Sequence, residues 1–199
     1  RSGMARLLYD AAREAFGTTP FQSSAVQEVK TLLEGISSQE LGLPGAEVEE
    51  SQKIEYVSLH EGRDFTMCMF LLPAGTKLPL HDHPEMIVFS KLLYGRLHVR
   101  TFDVFDRSAR NPEARITFDG AVEAGSVLEV RPELGNVHEF HALERCALLD
   151  VLAPPYSDDR RISYFAASTQ QPQVAILERI RVPEDFVTVP RKYSGPPIS

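Results

Sequence analysis

Cysteine occurs only twice in this chain of 199 residues, positive charge is in the minority, and no apolar run approaches the ~18 residues a membrane-spanning helix needs. Each scarcity excludes something. Cys68 and Cys146 both lie inside apolar stretches, "FTMCMFLL" and "RCALLDVL", so a disulfide framework is not expected. A reducing compartment is, with the cytoplasm and also the nucleus as the expected locations. The opening "RSGM" reads as a remnant ahead of the start, and no basic-then-apolar signal pattern follows it. A formal charge of −7 and a pI near 5.4 argue against nucleic acid as a partner, because nonspecific binding to phosphates wants net positive charge. Heptads, internal repeats and low-complexity segments are also missing, so a monomer with one domain across residues 1–199 is expected.

Two kinds of periodicity divide what is present. "MARLLYDAAREAF" and "AVQEVKTLLEGI" carry apolar residues at three- and four-residue spacing, which predicts a helical layer over about residues 1–40, with Ser23 or Ser24 as a cap. The stretch "SSQELGLPGAE" reads as a loop. From Lys53 onward roughly nine short extended runs alternate with Gly, Pro, Asn and Asp turns, the pattern of an all-β barrel or double-sheet jelly roll over about residues 50–185. The Pro- and Gly-rich end, about residues 186–199, reads as an extended tail crossing the surface.

Chemistry concentrates in the histidines. In "LPLHDHPEMIVFSKLLYG" the side chains of His81 and His83 share one face of a strand while Asp82 points the other way. Gly75 precedes the pair and Gly95 follows it; Gly125, Pro132, Gly135 and His138 form a second spaced set. These two sets resemble the paired motifs of the cupin fold. The resemblance implies a double-stranded β-helix with His81, His83 and His138 aimed at one metal ion. The glutamate ligand that usually completes the first motif is missing, since Ile87 or Val88 holds its place. Three neutral imidazoles suit iron, zinc, copper or nickel, leave coordination positions open, and favour an anionic ligand such as a thiolate. Nothing selects His60, His98 or His141 for a metal.

Four separated stretches, "LPLHDHPEMIVFSKLLYGRLHV", "GNVHEFHAL", "CALLDVLAPPYS" and "EDFVTVPRKYSGPP", together resemble the plant cysteine oxidase and cysteamine (2-aminoethanethiol) dioxygenase family of thiol dioxygenases. The resemblance runs from the helices to the last ten residues and is stronger toward the plant branch. It implies Fe(2+) held by His81, His83 and His138, and O2 as co-substrate. It further implies oxidation of an exposed N-terminal cysteine to the sulfinic acid, which feeds an oxygen-sensing N-degron pathway. Asp150 and Tyr156 are implied as catalytic residues lining the cavity: an acid to orient an amine or accept a proton, and a phenol to hydrogen-bond to oxygen at the iron. A carboxylate inside "ALLDVLAPP" is costly to bury without a purpose. Cys146 is read as a small packing residue.

Two departures from the family pattern stand out. Glu85 replaces the glycine that usually follows "H-x-HP", placing a negative charge near the expected pocket mouth. Ile162 stands where the cysteamine branch has a cysteine two residues before a tyrosine, here Tyr164, so a thioether crosslink is not expected. The competing expectations are a dioxygenase of small aminothiols such as cysteamine, and a non-catalytic metal-binding cupin.

Overall fold

The computed structural model describes residues 3–43 and 51–198. The "RSGM" start and the "SSQELGLPGAE" loop therefore fall partly outside the described residues. Two helices come first, α1 (Met4–Phe16) and α2 (Ser23–Gly35), followed by one 3-10 turn, Gln39–Leu41. α1 buries Ala5, Leu8, Ala12, Ala15 and Phe16 along one stripe, as its spacing requires. α2 begins at Ser23 with Gln22 before it, and neither serine caps it through its side chain.

Twelve strands follow among the described residues: β1 (Ile54–Glu61), β2 (Thr66–Leu72), β3 (Lys77–Asp82), β4 (Ile87–Tyr94), β5 (Arg96–Val104), β6 (Glu113–Glu123), β7 (Val127–Val130), β8 (Val137–Ala142), β9 (Cys146–Ala153), β10 (Tyr164–Gln171), β11 (Val174–Ile180) and β12 (Thr188–Arg191). One sheet runs β12-β1-β2-β9-β4-β7, and the other six strands close as β10-β11-β6-β5-β8-β3. This is the double-stranded β-helix of the cupin fold. The three strands beyond the nine expected are β3, β6 and β12. Pro79 interrupts β3, and its register shifts between Leu78 and His81; β6 carries Ala114, Ile116, Phe118 and Val122 at alternate positions but is mostly exposed; β12 contains Pro190, which an edge strand tolerates.

The helices cover the outside of the first sheet. Met67, Met69 and Leu71 of β2 and Leu149 and Val151 of β9 pack in one cluster with Leu8, Phe16, Val29 and Leu33. Their even-numbered neighbours, Cys68, Phe70, Asp150 and Leu152, turn to the barrel interior and line a cavity. β9 is buried on both faces over its whole length, which is why it reads as a nearly unbroken apolar run. The C-terminal segment runs over the surface, largely exposed, but is anchored at two points. Residues 188–191 pair parallel with β1, and Ile198 is buried in the helical cluster.

Candidate metal centre

His81 and His138 stand opposite each other in the β3–β8 ladder. A cross-strand pair places its side chains within contact range on one face. His83 lies just beyond β3, where its backbone N–H is held by Asn136. The three rings converge, with centroids 4.7–4.8 Å apart, and one nitrogen from each lies within 4.8 Å of the others.

Hydrogen bonds fix which nitrogen faces the centre. The Pro79 carbonyl can only accept, so His81 Nδ1–H donates to it at 2.7 Å and leaves Nε2 with a free lone pair. The Tyr156 hydroxyl donates to the Asp82 carbonyl at 2.7 Å, so its oxygen accepts from His83 Nδ1–H at 2.8 Å. His83 Nε2 is thereby turned inward, 2.9 Å from His138 Nε2. Bonds of about 2.0–2.1 Å at right angles would put two nitrogens about 3 Å apart, so the spacing fits two neighbouring ligands of one ion. Burial holds all three imidazoles neutral: it pulls His81 down to about 4, and burial together with neighbouring histidines pulls His83 well below its ordinary value. His138 is depressed by burial and by His81. Neutral rings are the ligating form. On the β4 side no carboxylate joins them. Val88 belongs to an apolar wall with Met86, Val130 and Leu152, while Ile87 faces the helices.

The triad opens onto a cavity of 610 Å³. Asp150 projects into it from β9, opposite Cys68 and Ser90 in register. Its side chain is 6% exposed and Oδ1 has no hydrogen-bond partner. Burial pushes its carboxyl up to about 7, against a hydrogen bond with Ser90 that lowers it.

Residues 25–198 match the PCO_ADO family model. The chain belongs to that family. Plant cysteine oxidase 2 of Arabidopsis thaliana is 28% identical over 96% of this chain and 82% of its own length. Plant cysteine oxidase 1 of the same plant is 34% identical over 80% of this chain and 62% of its own. The 2-aminoethanethiol dioxygenase of Mus musculus is 28% identical over 83% of this chain and 81% of its own. Among solved structures, a Klebsiella pneumoniae protein with a double-stranded β-helix domain matches with a TM-score of 0.44 at 15% identity, over 65% of this chain and 95% of that one.

The chain is thus a thiol dioxygenase family member with a three-histidine cluster that could hold a metal. Asp150 and Tyr156 both reach the cavity wall. The Tyr156 hydroxyl, expected to reach oxygen at the metal, is hydrogen-bonded to His83 and to the Asp82 carbonyl. Glu85 does not border this cavity: it is exposed in the turn after β3, with φ of 58°. That left-handed backbone is one that a glycine adopts without strain. The remaining histidines lie elsewhere. His60 packs on Tyr9 and Phe65, His98 pairs with Asp119 at 2.9 Å, and His141 faces Lys77 and His98 in register.

Sequence reasoning passed over Asn136, a spacer in the second motif. It is fully buried and bridges β8 to His83: Nδ2 donates to the carbonyls of His83 at 2.7 Å and Arg131 at 3.0 Å. The available signal was an amide two residues before His138, next to a glycine turn.

Proposed function

We propose that this chain is an iron(II)-dependent dioxygenase that oxidises the N-terminal cysteine of protein or peptide substrates to cysteine sulfinic acid, within an oxygen-sensing N-degron pathway of the cytoplasm and nucleus. The observation that carries the reading is the triad of neutral imidazoles, without a carboxylate, at the wall of an open cavity in a member of this family. His81, His83 and His138 would hold the ion, which would supply the redox chemistry that joins O2 to sulfur.

The chain's own residues do the rest. The Pro79 carbonyl and the Tyr156–Asp82 relay keep His81 and His83 in the ligating tautomer and orientation. Asp150, titrating near 7, can take the proton of a substrate thiol at its unpartnered Oδ1 or accept a hydrogen bond from the substrate ammonium. Phe70, Phe140 and Leu152 on the cavity wall limit water around the reacting sulfur. The stoichiometry closes without another reductant: the thiol and one O2 give the sulfinic acid, with four electrons leaving sulfur for the two oxygen atoms.

A 610 Å³ opening is far more than a small aminothiol fills and supports a peptide substrate. The test is mass spectrometry after aerobic incubation with ferrous iron. A Cys-initiated peptide gains two oxygen atoms and one with an internal cysteine does not. Preferential oxidation of cysteamine in competition would transfer the activity to small aminothiols, and no oxygen gain on either substrate would sink the dioxygenase reading.

A further inference from the structure

The strand that walls the cavity opposite the barrel contains an irregularity with a consequence for substrate choice. Along β1, Tyr56 pairs with Phe70 and Ser58 with Cys68, but the ladder then slips, so that His60 pairs with Met67 and Glu61 with Thr66. One extra residue, Leu59, is accommodated. Without this bulge, strict alternation would put His60 on the cavity side with Tyr56 and Ser58, and would turn Glu61 toward the helices. With it, Leu59 and His60 both turn outward. Leu59 packs against the helical cluster and the His60 ring lies against Tyr9 and Phe65 at 5.0 and 4.5 Å. Glu61 turns inward with Thr66, and both border the cavity.

One hydrogen bond and one glycine support the arrangement. Tyr56 donates its hydroxyl to Glu61 Oε1 at 2.9 Å, leaving Oε2 available. A side chain at Gly62 would run into the His60 ring. The cavity's formally charged border is wholly acidic among the described residues: Glu61 and Asp150 border it, and no lysine or arginine does. The two acids are not redundant. Glu61 is opposite Thr66, which is opposite Leu152, whereas Asp150 is opposite Cys68. They are therefore two strands and two residues apart on the sheet, roughly 12 Å from strand spacings of about 4.8 Å and rises of about 3.3 Å. One acid cannot serve both ends of a bound substrate. The outer one lies within reach of the next residue's side chain when the cysteine occupies the inner site.

We propose that Glu61, aimed into the cavity by the β1 bulge and clamped by Tyr56, is a specificity residue that selects a lysine or arginine immediately after the substrate's N-terminal cysteine. The inference rests on the N-terminal cysteine reading above. Its signature is in binding, because the contact lies away from the reacting sulfur: KM changes and kcat does not. Salt weakens the preference, because the outer acid is exposed to screening.

The experiment compares peptides identical except for the second residue, Cys-Lys, Cys-Gly and Cys-Glu, with the iron-loaded full chain and with Glu61→Gln and Glu61→Lys. Affinities of Ser-Lys and Ser-Gly versions, which cannot be oxidised, are measured in parallel. The wild type is expected to favour Lys over Gly by at least fivefold in kcat/KM and in affinity, and to disfavour Glu. Glu61→Gln brings the Lys/Gly ratio close to one, and Glu61→Lys inverts the order in favour of Cys-Glu. Equal handling of Lys and Gly by the wild type overturns the proposal, as does a preference that persists in both variants. Loss of all three peptides in Glu61→Gln with an unchanged ratio would assign the carboxylate to the α-ammonium and overturn it as well. Cys-Gly oxidation by the wild type separates these failures from a failure of the underlying reading, which would abolish turnover of every peptide while the serine peptides still report on Glu61.

Discussion

Asp150 shows how a single residue can be legible in kind and not in degree. An acid within an apolar run announces itself, but its environment depends on which face of β9 it occupies and on the helical layer that seals the other face. Burial raises its carboxyl to about 7 in the folded chain from 3.8, so between those values the folded state binds more protons than the unfolded one. This group's contribution to stability therefore falls as pH rises from about 4 to about 7, then levels off. At about 1.4 kcal/mol per unit the full effect is at most about 4 kcal/mol. Asp150→Asn removes the titration. In the metal-free protein, the variant's melting temperature relative to wild type is expected to climb steadily from pH 4 to pH 7 and stay level above it. A pH-independent difference would mean that the carboxyl is not buried in this way. Tyr156 was equally visible in "LAPPYS", yet its engagement by His83 and Asp82 arises from residues more than seventy positions away and has no local signature.

At the scale of elements, alternation and turn residues made most of the β framework readable, while each missed strand carries a feature that weakens its local signal. β3 carries Pro79 and a register shift, and the shift is what sets His81 across from His138. β6 is exposed, and β12 exists only because β1 offers it an edge. The β1 bulge is likewise invisible locally, since only the pairing with β2 reveals which side chains change face. The turn joining β3 to β4 carries a cost that can be measured. Glu85 has φ of 58°, a conformation unfavourable by about 1–2 kcal/mol for a residue with a Cβ. Glu85→Gly is expected to stabilise the protein by about 1 kcal/mol after glycine's extra chain entropy, raising Tm by roughly 2–4 °C. Glu85→Ala, which removes the charge and keeps the Cβ, should show no such gain. Equal gains in both variants would trace the effect to charge and not to backbone.

Across the whole molecule, the cluster draws on segments separated by more than fifty residues, with His83 beyond β3 and His138 in β8, and Asn136 tying the two regions together. Only the closed fold presents the three nitrogens at once, so an ion that binds them stabilises the folded chain and not the unfolded one. At a free concentration of about 100 times Kd, such linkage contributes about 2.7 kcal/mol. For a chain of this size that corresponds to a Tm increase of roughly 5–10 °C. Ferrous iron added without oxygen is expected to produce a rise of this order in the metal-free protein, read by calorimetry. The same addition to His138→Ala should leave Tm unchanged, because one of three donors is gone and affinity drops with it. Circular dichroism of that variant distinguishes a lost ligand from a lost fold. If native secondary structure persists and the iron-dependent rise persists too, His138 is not a ligand. If the structure persists and the rise disappears, the folded triad is the iron site.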